Sequence, residues 1–117
     1  TRGERFAVLA GSAPGFYAAM CLGARGAILA AACVVPRACV ELLAAFLRGD
    51  QERARDLQRR MIPIASAVTS GYGVPGLKLA MDLAGYQGGL PRPPLEPAPP
   101  AAADALRAAF LPLADLR

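Results

Sequence analysis

Apolar residues are arranged in two different ways along this chain. Near the start they form short continuous runs, Phe6–Ala10 and Ala27–Val35. Further on they recur every three or four positions, as on one face of a helix. Phe6–Ala10 is predicted to be a strand covered on both faces, ended by Gly11 and Ser12. Ser12 suits a helix cap and Pro14 a first helical turn, so a short helix through Phe16 and Met20 is expected, stopped by Gly23. Gly26 opens the second run, whose first half reads as another strand. Pro36 then starts a helix with Val40, Leu43 and Leu47 at helical spacing, ending near Gly49.

After that the pattern is helical throughout. Asp50 caps a helix over about 51–68, with Leu57, Met61, Ile64 and Val68 as its apolar stripe and Pro63 as a kink. Residues 69–76 read as a glycine-rich turn, and Pro75 starts a helix through Leu79 and Leu83 to Gly85. Residues 88–100 are proline-rich and extended, and a last helix covers about 101–111. The organisation is therefore strand, helix, strand, helix over 1–49, followed by a helical region over 50–117. Two strands joined by a crossover helix are expected to run parallel. Two parallel strands alone leave unpaired edges in water, so the strand count points to part of a larger α/β protein.

Composition narrows the function classes. The chain is 55% hydrophobic and 19% charged, yet no apolar run approaches the roughly 20 residues that cross a bilayer. The net charge of +4 is carried almost wholly by arginine, with Lys78 the single lysine. Arg53, Arg55, Arg59 and Arg60 alternate with Glu52 and Asp56 and lack interleaved aromatics. That pattern reads as a solvated helix face, so neither a nucleic-acid nor a membrane partner is expected. Cys21, Cys33 and Cys39 have no metal-ligand spacing, and the chain has no histidine. Zinc and a histidine-activated cysteine nucleophile are both excluded on those grounds, and the thiols are expected to be reduced and buried. No metal or cofactor is expected.

The stretch FAVLAGSAPGFYAAMCLGARGAILAAACVVP, then LRGDQERARDLQRRMIPI, YGVPGLKLAMDLAGYQGG, LPRPPLEP and the final helix, taken in order, resemble the dihydrodipicolinate synthase and N-acetylneuraminate lyase family of Schiff-base aldolases. The resemblance covers essentially all 117 residues. The segment GVPGLKLAMDLAGYQGG is most similar to the 4-hydroxy-2-oxoglutarate aldolase branch. The resemblance implies the last two βα units of a (β/α)8 TIM barrel, residues 1–49, followed by a C-terminal helical extension, residues 50–117. It also implies a homo-oligomer in the full-length protein and a pyruvate-type 2-oxo acid substrate with a small aldehyde such as glyoxylate. The expected reaction is cleavage of 4-hydroxy-2-oxoglutarate, or alternatively a dihydrodipicolinate-type condensation of pyruvate with an aldehyde. The expected compartment is the cytoplasm, or the mitochondrion if a targeting segment precedes Thr1.

In that family the reacting lysine, a proton-relaying tyrosine and a carboxylate-binding segment lie on earlier strands, upstream of Thr1. No catalytic residue is therefore expected in this chain, and the missing N-terminal part of the barrel is its implied partner. Lys78 sits in a proline-x-x-lysine context that matches a non-catalytic family lysine. Gly11, Ser12 and Ile28 are the candidate substrate-binding residues. Taken alone, Gly11 and Ser12 read as a plain strand-to-helix turn with a serine cap; the resemblance reverses that preference, because they lie at a strand's C-terminal end, where a barrel presents its site. Ile28 matches a position whose carbonyl faces the family's pocket, and it also reads as ordinary packing. Sialic-acid-cleaving members carry acids where this chain has Ser12 and Ala13, which favours a short substrate. Cys33 stands where many members have asparagine. Tyr17, Tyr72 and Tyr86 are read as packing residues. A non-catalytic interaction fragment, or a phosphate-binding half-barrel using Gly11 and Ser12, are the readings from other classes.

Overall fold

The computed structural model describes residues 5–116. Strand β1, Leu9–Ala10, pairs in parallel with β2, Gly26–Ala27, with Leu9 opposite Gly26 and Ala10 opposite Ala27. Helix α1, Phe16–Cys21, forms the crossover between them. The parallel pairing expected of a strand–helix–strand unit is present, but both strands are far shorter than their apolar runs. Main-chain bonds extend the ladder by one residue at each end, from Arg25 N–H to the Val8 carbonyl and from Ile28 N–H to the Ala10 carbonyl, both 2.9 Å. Among the described residues neither strand has a second neighbour. Phe6, Val8 and Leu9 accordingly remain exposed, and nothing extends the pairing into Phe6.

The second apolar run leaves the strand early. Ala30–Cys33 tightens into a 3-10 turn, and α2 follows over Pro36–Leu47 with Pro36 in its first turn. The proline's missing N–H costs nothing there, because first-turn N–H groups have no partner within the helix. The buried face of α2 differs from the expected one. Ala38, Cys39, Leu42 and Ala45 face the core, whereas Val40 and Leu47 are 67% and 74% exposed. Small residues toward α3 let the two helices approach closely, bringing Cys39 Sγ within 3.9 Å of Met61 Sδ.

Helix α3, Gln51–Ser66, is the central element and touches α1, α2 and the C-terminal helix. The Asp50 side chain accepts from Arg53 N–H at 3.1 Å, as a cap should. Leu57, Met61, Ile64 and Val68, the predicted stripe, are all buried. Each such side chain contributes about 1.5–3 kcal/mol by leaving water. Asp56 pairs with Arg53 at 3.7 Å and Arg60 at 3.3 Å, consistent with a solvated charged face. Arg60 also reaches the C-terminal segment, donating to the Pro112 carbonyl at 2.7 Å and pairing with Asp115.

The expected glycine-rich turn over 69–76 is helical instead. Ala67–Gly71 forms a π-helical turn, with Tyr72 N–H bonded to the Ala67 carbonyl at 2.9 Å, and α4 begins at once over Gly73–Leu83. Thr69 Oγ1 donates back to the Ala65 carbonyl at 2.7 Å and Ser70 Oγ to that of Ser66 at 3.3 Å. These back-bonds widen the turn without ending it. Gly76 permits the packing, because a Cβ there would lie 2.3 Å from Tyr72 Cβ. Helix α4 stops at Gly85, whose φ of 92° favours glycine. The proline-rich stretch leads to α5, Ala102–Phe110, and a final 3-10 segment, Leu111–Leu116. Leu106, Phe110 and Leu113 from this end join Leu42, Leu57 and Ile64 in one core. Among the described residues no helix is long and apolar enough to cross a membrane.

Candidate functional site

The two strand ends lie side by side. Because Ile28 N–H donates to the Ala10 carbonyl, the chain leaving β2 runs beside Gly11 as it leaves β1. Gly11, Ser12 and Ile28 are thus brought to one end of the parallel pair, and all three are exposed, Ile28 by 76%. A Cβ on Gly11 would meet nothing within 4 Å. The glycine is therefore not required by packing within this chain, and open space lies in front of its Cα.

Ser12 does not act as the expected cap. Helix α1 starts one turn later than the sequence implies, with Gly15 at its N-cap and no side-chain bond there. Ser12 and Ala13 instead use their carbonyls, which accept from Gly15 N–H at 3.3 Å and Phe16 N–H at 3.2 Å. Pro14 lies in this turn, outside the helix. Among the described residues the Ser12 hydroxyl is given no hydrogen bond, and the residue stands at the exposed strand end.

The turn is held from beneath by a residue that the apolar-stripe reading passed over. Gln58 of α3 is the buried polar side chain of the described core, at 8% exposure. Its Nε2 donates to the Ala13 carbonyl at 2.9 Å, and its Oε1 accepts from Tyr17 N–H at 2.7 Å. A signal for it exists in the sequence. Ala54, Gln58, Met61 and Ala65 share one buried face of α3, and an uncharged polar residue on such a face needs partners from another element.

Tyr17 and Tyr72 pack against the core as expected, but Tyr86 does not, being 51% exposed. The Tyr17 ring meets Phe46 edge-on at 6.0 Å, and its hydroxyl donates to Gln51 Oε1 at 3.0 Å. A side-chain hydrogen bond to Cys21, with a contribution from burial, raises the Tyr17 pKa above its ordinary value, unlike that of a proton relay poised near neutrality. Of the three thiols only Cys39 is buried; Cys21 and Cys33 are exposed, contrary to the expectation for all three. Burial, helped by nearby Cys33, pushes the Cys39 thiol up to about 11, which keeps it protonated and unreactive. Lys78 lies on α4, half-buried, with Nζ donating to the Gly88 carbonyl at 3.0 Å. An apolar cleft of about 210 Å³ between β2 and α2, lined by Phe16, Ala27, Leu29, Pro36 and Cys39 among others, offers no polar side chain beyond that thiol.

The model of the dihydrodipicolinate synthetase family matches residues 1–111. The chain belongs to that family. Among curated relatives, it is 34% identical over 109 residues to a 4-hydroxy-tetrahydrodipicolinate synthase of Rhodopseudomonas palustris, covering 93% of this chain and 37% of that protein. It is 36% identical over 97 residues to the enzyme of the same name from Methanothrix thermoacetophila, covering 83% of this chain and 33% of the relative. The solved dihydrodipicolinate synthase of Aquifex aeolicus superposes with a TM-score of 0.84 at 31% identity, over 97% of this chain and 39% of that one. The Thermotoga maritima structure gives 0.83 at 28%, over 90% and 36%. The chain thus spans little more than a third of the length of the relatives it matches. Dihydrodipicolinate synthetase-family membership holds for the strand pair and the helical region together, since the match runs through both.

Proposed function

We propose that this chain is the C-terminal part of a lysine Schiff-base lyase acting on a pyruvate-type 2-oxo acid. Residues 1–49 supply the last two βα units of a (β/α)8 barrel, and residues 50–117 its helical C-terminal region. The observation that carries this reading is the parallel pair β1–β2. Its C-terminal ends set Gly11, Ser12 and Ile28 side by side within a chain that matches the family over residues 1–111. Barrel enzymes place their sites at that end of the strands. On this reading the three residues contact the variable end of the substrate: the open face of Gly11 admits it, Ser12 offers a hydroxyl, and Ile28 a carbonyl.

The reaction itself needs an amine that attacks the substrate ketone and loses water to give an iminium. That iminium accepts the electron pair as a carbon–carbon bond forms or breaks. Lys78 is badly placed for this, since it is on a helix of the C-terminal region and holds the Gly88 carbonyl. The amine therefore comes from outside these residues. Exposed apolar side chains along β1 and on α2 are the surfaces the rest of the barrel, and further copies of it, would cover. The cytoplasm is the proposed compartment.

Two reactions fit the short, non-acidic Ser12–Ala13 turn. Condensation of pyruvate with an aldehyde stands first, because the relatives are named 4-hydroxy-tetrahydrodipicolinate synthase. Cleavage of 4-hydroxy-2-oxoglutarate rests on the segment 73–89. In the fold that segment is α4 and the turn that Lys78 and Asp82 pin at Gly88, so its resemblance concerns packing more than substrate. Borohydride trapping with pyruvate tests the proposal. The 117-residue chain alone should remain unlabelled, and a polypeptide that supplies the rest of the barrel should be labelled on a lysine outside residues 1–117. An adduct on Lys78 would overturn it.

A further inference from the structure

We propose that Gln58 is a positioning residue for the Gly11–Ser12 turn, acting from α3 through the Ala13 carbonyl and the Tyr17 N–H. The proposal deepens the reading of that turn as substrate-facing and rests on it. Its physical basis is the identity of the two groups that Gln58 joins. Residues 13 and 17 are four apart, so in a continuous helix Tyr17 N–H would donate directly to the Ala13 carbonyl. Here the Gln58 carboxamide is inserted between them, donating to one at 2.9 Å and accepting from the other at 2.7 Å. A side chain inserted into the i to i−4 ladder opens the helix at that point.

The insertion accounts for the local structure. Helix α1 begins at Phe16 behind an uncapped Gly15, Pro14 stays outside it, and Ser12–Gly15 forms a turn. Ala13, though it carries the bonded carbonyl, is itself buried, so the anchor is below the surface and the exposed Gly11–Ser12 pair stands above it. The carboxamide supplies one donor and one acceptor, which is what this gap requires. An apolar residue supplies neither, and a carboxylate only the acceptor.

That asymmetry gives a test on the full 117-residue chain. Gln58→Glu is nearly isosteric. Protonated, its carboxyl can donate to the Ala13 carbonyl and accept from Tyr17 N–H; ionised, it can only accept and sets a negative oxygen against the carbonyl. Backbone amide spectra of Gly11 and Ser12 are compared with wild type at about pH 4 and about pH 8, on either side of a glutamate made harder to ionise by burial. The expected result is wild-type resonance positions at the lower pH and displaced ones at the higher. Gln58→Met, which fills the space without either bond, should be displaced at both. Circular dichroism confirms that the helices are retained. Wild-type positions in a folded Gln58→Met chain, or in Gln58→Glu at both pH values, would overturn the proposal. So would unfolding of Gln58→Glu at the lower pH, where both bonds are available. Borohydride trapping reads the substrate assignment alone and these resonances read Gln58 alone, so either can fail without the other.

Discussion

Lys78 Nζ and the Gly88 carbonyl meet at 3.0 Å, while Asp82 Oδ1 on the same helix accepts from the Gly88 N–H at 2.7 Å. One residue of the loop is therefore held at both its polar atoms by two side chains of α4, four positions apart. This clamp turns the chain out of α4 and into the proline-rich stretch. It gives the single lysine a structural task. Lys78→Met should lower stability by about 1 kcal/mol, the worth of one such hydrogen bond, read as a shift in the denaturation midpoint. Pyruvate-dependent labelling of a polypeptide containing the whole barrel should be unchanged by it. Loss of labelling with stability intact would instead assign the reacting amine to Lys78.

Gly88 and Gly11 predict opposite outcomes for the same substitution. A Cβ on Gly88 would lie 2.0 Å from the Lys78 carbonyl oxygen and 2.7 Å from its carbon, both main-chain atoms that cannot step aside. A Cβ on Gly11 meets open space. Gly88→Ala should cost on the order of 2 kcal/mol or more, as expected when backbone must move, and Gly11→Ala should stay within about 0.5 kcal/mol of wild type. Paired thermal melts decide this. A large loss for Gly11→Ala would show that packing, and not the space in front of it, requires the glycine.

The helical half of the chain was legible where apolar spacing and end signals agreed. Asp50 caps α3 and Leu57, Met61, Ile64 and Val68 all reach the core because each is large and none competes with a second face. The buried face of α2 is not legible from its apolar spacing, for the opposite reason. Two of the large residues at the expected spacing, Val40 and Leu47, point outward, and the buried face is made by Leu42 together with the small Ala38, Cys39 and Ala45. The strands were legible in kind and parallel sense but not in length, since strand length depends on neighbours as well as on the run itself. The glycines of 69–76 suggest a turn that interrupts the helices, whereas hydroxyl back-bonding at Thr69 and Ser70 sustains a wide helical turn there. At the candidate site, Gly11 and Ser12 followed from the end of the first apolar run, whereas Ile28 came from the family resemblance alone. The contribution of Gln58 followed from neither, because its partners lie more than 40 residues away.

The corrected face of α2 can be checked directly. Leu42 is fully buried, and Leu42→Ala should cost about 2–5 kcal/mol, the range for emptying such a site. Val40→Ser and Leu47→Ser, on the exposed side, should each change the stability of this chain by about 0.5 kcal/mol or less. Urea denaturation of the three variants measures the difference. If Val40→Ser proves as costly as Leu42→Ala, the helix is rotated from the orientation described.

Cys39 sets an alkaline limit on stability. Its folded thiol is pushed up to about 11 by burial, above the ordinary thiol range near 8.5–9 that applies once the chain unfolds. Between those values the folded state binds the proton and the unfolded state has released it, so unfolding sheds a proton and becomes easier as pH rises. The stabilisation is complete below the unfolded value and is lost progressively up to about 11. A displacement of this size corresponds to roughly 2–3 kcal/mol. Other groups titrate in the same window, so the quantity to measure is the difference between wild type and Cys39→Ala. That difference should narrow or widen with pH by about this amount, with wild type losing the more on going from pH 8 to pH 11. Thiol labelling gives an independent reading: at about pH 8, iodoacetamide should modify the exposed Cys21 and Cys33 and spare Cys39 until the chain is unfolded. Parallel pH dependence in the two proteins, together with prompt labelling of Cys39, would mean that the thiol is open to solvent and that α2 and α3 do not pack as closely as the 3.9 Å contact with Met61 requires.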